Sequence, residues 1–328
     1  MPSHPVINLE RLPARPSEQY LWADYIELLC LVNLDRAVSE LDVIDRIEDR
    51  RDLGEGVDDA GDRSERHTSR TGYEDRTILY VSDCFSLLRY RYYAFKDFYP
   101  FFLSKGGDTL LRRKKLTLKQ KLYVFFLLSA NLKHVSKQYI PIFTASFEIA
   151  SAEALHSYLP RGAKVFLFGK NPLNMGRYSG KLWYKIQVLA QDIRESVVAD
   201  EGEFEPNDTG DNGLDIVGWV PFGDPADKFL IVFGQCACTL DWVVKQHSSG
   251  EAAWSGVISS KTPRNNVSFV PFCLRDLGGG WYRSRDAQGT ILIDRLRLVR
   301  LLEGKYRSLK ELPYDLVDEA VEQSESLF

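Results

Sequence analysis

The sequence predicts a mixed α/β protein in which a helical first part is followed by a mixed sheet flanked by helices. Two observations lead to this prediction. Apolar residues recur at three- and four-residue spacing before residue 160, which is typical of helices with a buried face. After residue 160, short apolar runs separated by turn formers indicate strands. We expect a helical domain at 1–138, a sheet domain at 139–305 and a helical tail at 306–328.

Composition narrows the class of protein. The formal net charge of the 328 residues is -4, which counts against a generally basic nucleic-acid-binding protein but allows a local basic groove. The five cysteines are scattered without a CxxC pair, as suits a reducing cytosol. We recognise no signal peptide, and the longest apolar run, 123–128, is too short to cross a bilayer. We therefore expect a cytoplasmic protein with no membrane partner.

Three segments of the first part predict helices, at residues 19–47, 77–102 and 118–132. The second of them is crowded with aromatic residues, among which Arg91 and other basic residues are interleaved. Such a pattern can clamp single-stranded nucleic acid by stacking. It also fits a buried helix with amphipathic arginines at its rim, and this second interpretation is favoured.

Two charged segments interrupt the helical part. Residues 45–76 contain almost no apolar side chains, so they predict a disordered loop, with a partner-binding segment as the alternative. The one clear basic run is Arg112, Arg113, Lys114 and Lys115. It can bind the phosphate backbone of DNA, and a solvated helix face is an equally good interpretation.

The second part alternates between helix and strand patterns. Residues 143–159 and 181–195 predict helices, and Asp200 to Asp211 predicts a loop. The predicted strands are residues 165–168, 213–219, 229–233 and 267–272, and residues 290–298 run from a strand into a helix.

Asp215 and Gln235 stand out because each is a polar residue within or at the end of an apolar strand. The turn formers at 221–225 predict a hairpin that brings them together. A buried carboxylate needs a cation beside it, and an amide oxygen can coordinate a hard cation. The alternative is structural, with Asp215 in a salt bridge to a core cation and Gln235 bonded to a backbone group.

The run Gly210-Asp211-Asn212-Gly213-Leu214-Asp215, followed by Gln235-Cys236, resembles the catalytic hairpin of the PD-(D/E)XK nuclease superfamily, especially its Mrr-like and related bacterial defence branches. In that pattern an Asp follows a Gly-rich lead-in, and the next strand ends in Glu or Gln, one residue, then Lys. Here Ala237 replaces the lysine, and Lys245 is the nearest candidate. The resemblance covers about residues 140–300 and implies a restriction-endonuclease-like fold.

The resemblance also implies a site. Mg²⁺ or Mn²⁺ would be held by Asp215, by Gln235 and by the backbone carbonyl of Cys236, while Lys245 would stabilise developing charge. An acidic residue of the first core helix often helps to hold the metal in this family. Glu148 can take this role if that helix is 143–159, but a surface glutamate is the favoured interpretation.

Two further assignments concern a second helix and two cysteines. The helix at 181–195 is the other candidate for the first core helix, and it offers Gln187 and Glu195. Cys236 and Cys238 are expected to be buried or incidental thiols instead of zinc ligands, because no second ligand pair is visible.

The function implied is a metal-dependent DNA endonuclease that hydrolyses phosphodiester bonds, as an effector of bacterial anti-phage defence. Its catalytic residues would be Asp215, Gln235, Lys245 and Glu148. A regulatory protein partner or homo-oligomer would dock on the helical first part. The alternative is a catalytically inactive nuclease-fold subunit that serves nucleic-acid binding or complex assembly. No Gly-rich phosphate loop, Ser-His elbow or zinc signature supports an unrelated α/β enzyme.

Overall fold

The computed structural model describes residues 5–13, 18–52, 70–169, 171–172 and 176–323. The protein is mixed α/β, with one antiparallel sheet and one mixed sheet. The chain divides into two compact units. The first comprises Met1–Tyr139, Cys273–Tyr282 and Tyr314–Phe328, and the second comprises Ile140–Phe272 and Arg283–Pro313. Residues 273–282, expected in the sheet domain, and the C-terminal helix, expected in a separate tail, thus group with the first unit.

The regular elements follow one another in this order. The helices are α1 (Gln19–Val32), α2 (Glu40–Asp52), α3 (Arg70–Phe95), α4 (Leu118–Ala130), α5 (Ile140–Tyr158), α6 (Leu182–Asp192), α7 (Trp242–Lys245), α8 (Glu251–Trp254), α9 (Arg295–Leu301) and α10 (Tyr314–Glu322). The strands are β1 (Ala37–Ser39), β2 (Phe101–Leu103), β3 (Thr109–Arg112), β4 (Lys164–Leu167), β5 (Ile216–Val220), β6 (Leu230–Cys236), β7 (Asn265–Phe269) and β8 (Ile291–Ile293).

The first unit is built around helix α1. Every residue of α1 after Gln19 is buried, and the helix packs against α3, β3 and α10. A helix that is enclosed on all sides needs apolar residues around its whole circumference, and α1 has them at most positions. Beside it lies a three-stranded antiparallel sheet in the order β1-β3-β2.

Two carboxylates of α1, Asp24 and Glu27, are the exceptions to this apolar surface. Both are fully buried, as is Arg91 of α3. Arg91 Nη1 lies 2.7 Å from Asp24 Oδ1 and 2.9 Å from Glu27 Oε1. Its Nη2 donates to the carbonyl of Tyr20 at 3.0 Å. Arg91 therefore lies inside the unit and is not available to stack on nucleic-acid bases.

Neutral donors complete the same network. The hydroxyls of Tyr99 and Tyr123 donate to Glu27 at 2.7 and 2.9 Å. The side-chain amide of Asn131 donates to Asp24 at 3.1 Å. Buried charges are tolerated when they are paired and hydrogen-bonded in this way, because the interactions offset the lost hydration.

Replacing Arg91 by methionine removes the cation but keeps much of its volume. Asp24 and Glu27 would then be buried without a positive partner, so we expect a loss of about 3–5 kcal/mol in the free energy of unfolding, measured with urea. Arg89→Met is the matched control, since Arg89 is exposed on the same helix. Equal losses in the two variants would show that the network does not stabilise the unit.

The expected disordered loop at 45–76 needs correction at both ends. Residues 45–52 belong to α2 and residues 70–76 belong to α3, because the helices extend further into the charged sequence than its lack of apolar residues suggested. The remaining residues, 53–69, lie outside the described residues.

The second unit contains a five-stranded mixed sheet in the order β4-β5-β6-β7-β8. Strands β4, β5 and β6 are antiparallel neighbours, while β6, β7 and β8 run parallel. Helix α5 packs on one face, where Gly218 allows close approach: a Cβ there would lie 3.2 Å from Leu155 and 3.1 Å from Leu159. On the other face, Ile186 and Leu189 of α6 belong to a core cluster with Val217, Phe233 and Trp254.

Within the described ranges, no helix combines the length and the apolar character that a membrane span requires.

Candidate active site

Asp215 lies immediately before β5, where three strands of the sheet meet. Its backbone N–H donates to the carbonyl of Gly234 at 3.0 Å, and its carbonyl accepts from the N–H of Phe168 at 2.8 Å. Its side chain is 6% exposed, and Oδ2 accepts the backbone N–H of Cys236 at 2.6 Å. The structure thus brings together the two strand ends that the sequence singled out.

The surroundings of Asp215 favour its protonated form. Burial raises the pKa of its carboxyl well above the ordinary range, and the negative charges of Glu148 and Asp211 raise it further. The N–H of Cys236 and the charge of Lys245 act in the opposite direction, but do not outweigh burial. A cation close to this carboxylate would remove the penalty.

Glu148 of helix α5 is the second acidic residue of the site. Its Oε2 accepts a hydrogen bond of 2.8 Å from the amide of Asn171, which also donates to the carbonyl of Ala145 at 2.9 Å. Burial raises the pKa of Glu148 to about 7; the Asn171 bond opposes this shift and the charge of Asp211 adds to it. Helix α5 therefore supplies the glutamate near Asp215.

Helix α6 does not supply an acidic residue to this place. Gln187 is exposed. Glu195, just beyond α6, accepts hydrogen bonds from the hydroxyl of Ser259 at 2.6 Å and from the N–H of Lys261 at 2.9 Å.

Gln235 and the carbonyl of Cys236 lie together at the end of β6. Gln235 Nε2 donates to that carbonyl at 3.2 Å, and Gln235 Oε1 accepts from the hydroxyl of Ser248 at 2.8 Å. Ser248 Oγ is also 2.9 Å from the carbonyl of Gly213 and 2.8 Å from that of Lys245, and its single hydrogen is shared among these three acceptors. Each oxygen has two lone pairs, so the hydrogen bond that it accepts leaves one for a metal.

Gly213 is required by this packing. Its φ of 74° lies in the left-handed region that favours glycine. A Cβ at this position would lie 2.6 Å from the Cβ of Ser248. Gly213 therefore permits the close approach of Ser248 to the backbone that precedes Asp215.

Lys245 is near the site but is engaged elsewhere. It ends α7, is half-exposed, and its Nζ lies 3.2 Å from Asp241 Oδ2 and 3.4 Å from Thr239 Oγ1. Ala237, at the position of the missing lysine, is buried. Among the described residues, no cation forms an ion pair with Asp215 or Glu148.

The basic run lies in the first unit, and its residues differ in their exposure to solvent. Arg112, the last residue of β3, is half-buried, and its Nη2 donates to the carbonyl of Val321 at 3.5 Å. Arg113, Lys114 and Lys115 are exposed. Three of the four residues are therefore accessible to a phosphate backbone.

The thiols of Cys236 and Cys238 border the carboxylates. Burial raises the pKa of both thiols well above the ordinary value, and the charges of Asp215 and Glu148 raise it further, so both remain protonated at neutral pH. In the part of the chain that the structure describes, no three His, Cys, Asp or Glu side chains are arranged to hold a metal. The ligand set expected here combines Asp215, and Glu148 as the candidate second carboxylate, with an amide oxygen and a backbone carbonyl, which such a grouping does not include.

These donors have the chemistry that Mg²⁺ or Mn²⁺ prefers. Asp215, Gln235 and the Cys236 carbonyl all offer oxygen atoms, and the two carboxyls lack an ion-pair partner among the described residues.

Three residues at this site were not found from the sequence. Asn171 and Ser248 gave no signal, because a single Asn or Ser between elements has no distinctive spacing. Lys185 did give one: it is a lysine on the apolar face of its helix, between Leu182 and Leu189.

Neither a protein-family model nor a curated protein nor a solved structure matches this chain.

The raised pKa of Glu148 predicts a pH dependence of stability. The pKa of the Glu148 carboxyl rises from 4.5, its ordinary value, to about 7 in the folded protein. Folding is therefore favoured while the carboxyl is protonated, and this contribution is lost as the pH rises through about 7. Between pH 5 and pH 8, we expect the free energy of unfolding of the wild type to fall by up to about 3 kcal/mol more than that of Glu148→Gln.

The control for this measurement is Glu153→Gln, since Glu153 lies on the same helix and pairs with Lys305 at the surface. Urea unfolding at several pH values gives the slopes. The same slope in Glu148→Gln as in the wild type would contradict the assignment.

Proposed function

We propose that this chain is a PD-(D/E)XK-type nuclease that uses Mg²⁺ or Mn²⁺ to hydrolyse phosphodiester bonds in DNA. The observation that carries the proposal is the buried Asp215 with the half-buried Glu148 near it, neither of which has an ion-pair partner among the described residues. Two such groups destabilise each other and the fold when both are ionised, unless a cation lies between or beside them.

The surrounding fold supports this assignment. The restriction-endonuclease-like fold is expected to be a mixed sheet flanked by helices, and the second unit has such a sheet with α5 and α6 on its two faces. Asp215, Gln235 and the carbonyl of Cys236 would hold the metal at the end of the sheet where β5 begins and β6 ends. The family assignment rests on these residues and on this topology.

Each part of the reaction has a candidate group. When bound, the metal supplies positive charge to the scissile phosphate and makes a water molecule more acidic. Asp215 anchors the site. Glu148, whose pKa is about 7, can accept the proton of the attacking water at its free Oε1. The new P–O bond forms from this water, the opposite P–O ester bond breaks, and the leaving oxygen takes a proton from solvent.

Lys245 is the candidate for stabilising the charge that develops on the phosphate. To do so, its ammonium must leave Asp241 and turn towards the site, a movement that a half-exposed lysine at the end of a one-turn helix can make. Catalytic contacts often tighten only when substrate is bound.

A second candidate function is a catalytically inactive nuclease-fold subunit that binds nucleic acid or supports assembly of a complex. The observations that favour it are the buried Ala237 at the lysine position and the pairing of Lys245 with Asp241.

DNA as the substrate and bacterial defence as the setting come from the resembled branches. The exposed residues Arg113, Lys114 and Lys115 add a local positive charge that suits a phosphate backbone. A regulatory protein partner or a second copy of the chain would be expected to bind the first unit.

The nuclease proposal predicts the outcome of an Asp215→Asn substitution. With Mg²⁺ or Mn²⁺, we expect the wild type to cleave DNA and the variant to be slower by at least about a hundredfold, because the anchoring charge is lost. Initial rates on supercoiled, linear and single-stranded DNA provide the measurement. Asp224→Asn, an exposed aspartate of the same unit, serves as the control. Equal cleavage by Asp215→Asn would exclude the site, and binding without cleavage by the wild type would favour the inactive subunit.

The basic run makes a separate prediction. Replacing Arg113, Lys114 and Lys115 by alanine should weaken DNA binding most at low salt, and should lower the slope of log affinity against log salt by about 0.9 for each phosphate that the variant no longer neutralises. Fluorescence anisotropy at several salt concentrations measures both quantities. A triple variant of the exposed residues Lys137, Arg161 and Lys228 is the control for net charge. An unchanged slope would mean that the run is a solvated surface.

A further inference from the structure

Lys185 of helix α6 is a buried lysine that has no ionic partner in direct contact among the described residues. It is 1% exposed, and its Nζ donates to the carbonyls of Thr209 at 3.1 Å, of Phe168 at 3.5 Å, and of Gly210. The ammonium also lies 5.2 Å from the centre of the Phe168 ring. An ammonium has three N–H donors, and here three carbonyl oxygens accept them.

Burial at this position destabilises the charged form of Lys185. Burial lowers the pKa of Lys185, while the charges of Asp211 and Asp208 oppose the shift. An apolar residue would fill the face of α6 between Leu182 and Leu189 without this penalty. The lysine therefore has a role that an apolar side chain would not supply, and its contacts indicate the role.

All three carbonyls belong to segments that fix Asp215. Gly210 begins the Gly-rich lead-in, and Thr209 comes directly before it. The lead-in continues through a turn in which Asp211 Oδ1 accepts from the N–H of Gly213 at 2.8 Å. Phe168, whose carbonyl accepts from Lys185, donates its own N–H to the carbonyl of Asp215. One ammonium thus joins the chain before Asp215 to the strand end beside it.

We propose that Lys185 is the positioning residue of the metal site, and that its ammonium holds residues 209–214 and so orients Asp215 towards a divalent cation. The role in metal binding rests on the proposed function. The holding of residues 209–214 does not, because it concerns only the hydrogen bonds that the Lys185 ammonium donates to backbone carbonyls.

The test compares Lys185→Met with Lys181→Met, in which an exposed lysine of the same helix start is replaced. Two quantities are measured on the full chain: hydrogen exchange of the amides at 209–214, and the Kd for Mn²⁺ from titration calorimetry. In Lys185→Met, we expect those amides to exchange at least about tenfold faster and the Kd to rise by about tenfold or more, the scale typical of groups that orient metal ligands. Lys181→Met should match the wild type in both.

The two measurements separate the possible failures. If the wild type binds no Mn²⁺, the proposed metal site is wrong, and the exchange data alone decide whether Lys185 holds the lead-in. If Lys185→Met folds but neither exchange nor Kd changes, the positioning role is overturned. Faster exchange throughout the second unit, instead of at 209–214, would also overturn it, since it would show a general core role. If Lys185→Met does not fold, Lys185→Gln, which retains fewer donors on a shorter side chain, is measured by the same criteria.

Discussion

The hydrogen bond from the N–H of Cys236 to Asp215 Oδ2 is the interaction on which the candidate site depends. It fixes a buried carboxylate against the end of the neighbouring strand, while the backbone of Asp215 bonds to Gly234 and Phe168 on either side. The carboxylate therefore cannot turn freely towards solvent. The pairing of β4, β5 and β6 creates this position, and α5 and α6 cover the two faces of the sheet around it.

The two units treat buried carboxylates differently. In the first, Asp24 and Glu27 are matched by Arg91 and by neutral donors. In the second, Asp215 and Glu148 receive N–H donors, but no described cation pairs with them. The first arrangement avoids the cost of an uncompensated buried charge. The second leaves two carboxyls without a positive partner among the described residues, and a divalent cation with oxygen ligands would supply the missing positive charge.

Part of the periodic structure could be predicted from the sequence. Residues 19–47, expected as one helix, instead contain α1, β1 and the start of α2, and the helix expected at 77–102 ends at Phe95, before β2. Residues 118–132 and 143–159 have helical spacing and form α4 and α5. Asp215 and Gln235 were noticeable because a carboxylate and an amide are unexpected in apolar strands. The contacts of Ser248 and Lys185 could not be predicted, because the carbonyls that accept from them are distant in sequence; the place of Lys185 on the apolar face of α6 marks it as unusual but does not identify its partners. For the same reason, nothing local indicated that residues 273–282 join the first unit.

The most direct test of the metal site is calorimetric titration of the wild type and of Asp215→Asn with Mn²⁺ at about pH 6.5, in buffers of different ionisation enthalpy. A single ion is expected to bind to the wild type with release of about one proton, because a metal displaces the proton that the carboxyls of Asp215 and Glu148 otherwise retain. Asp215→Asn should not bind. Absence of binding by the wild type, or equal binding by the variant, would contradict the claim that these carboxyls form a cation site.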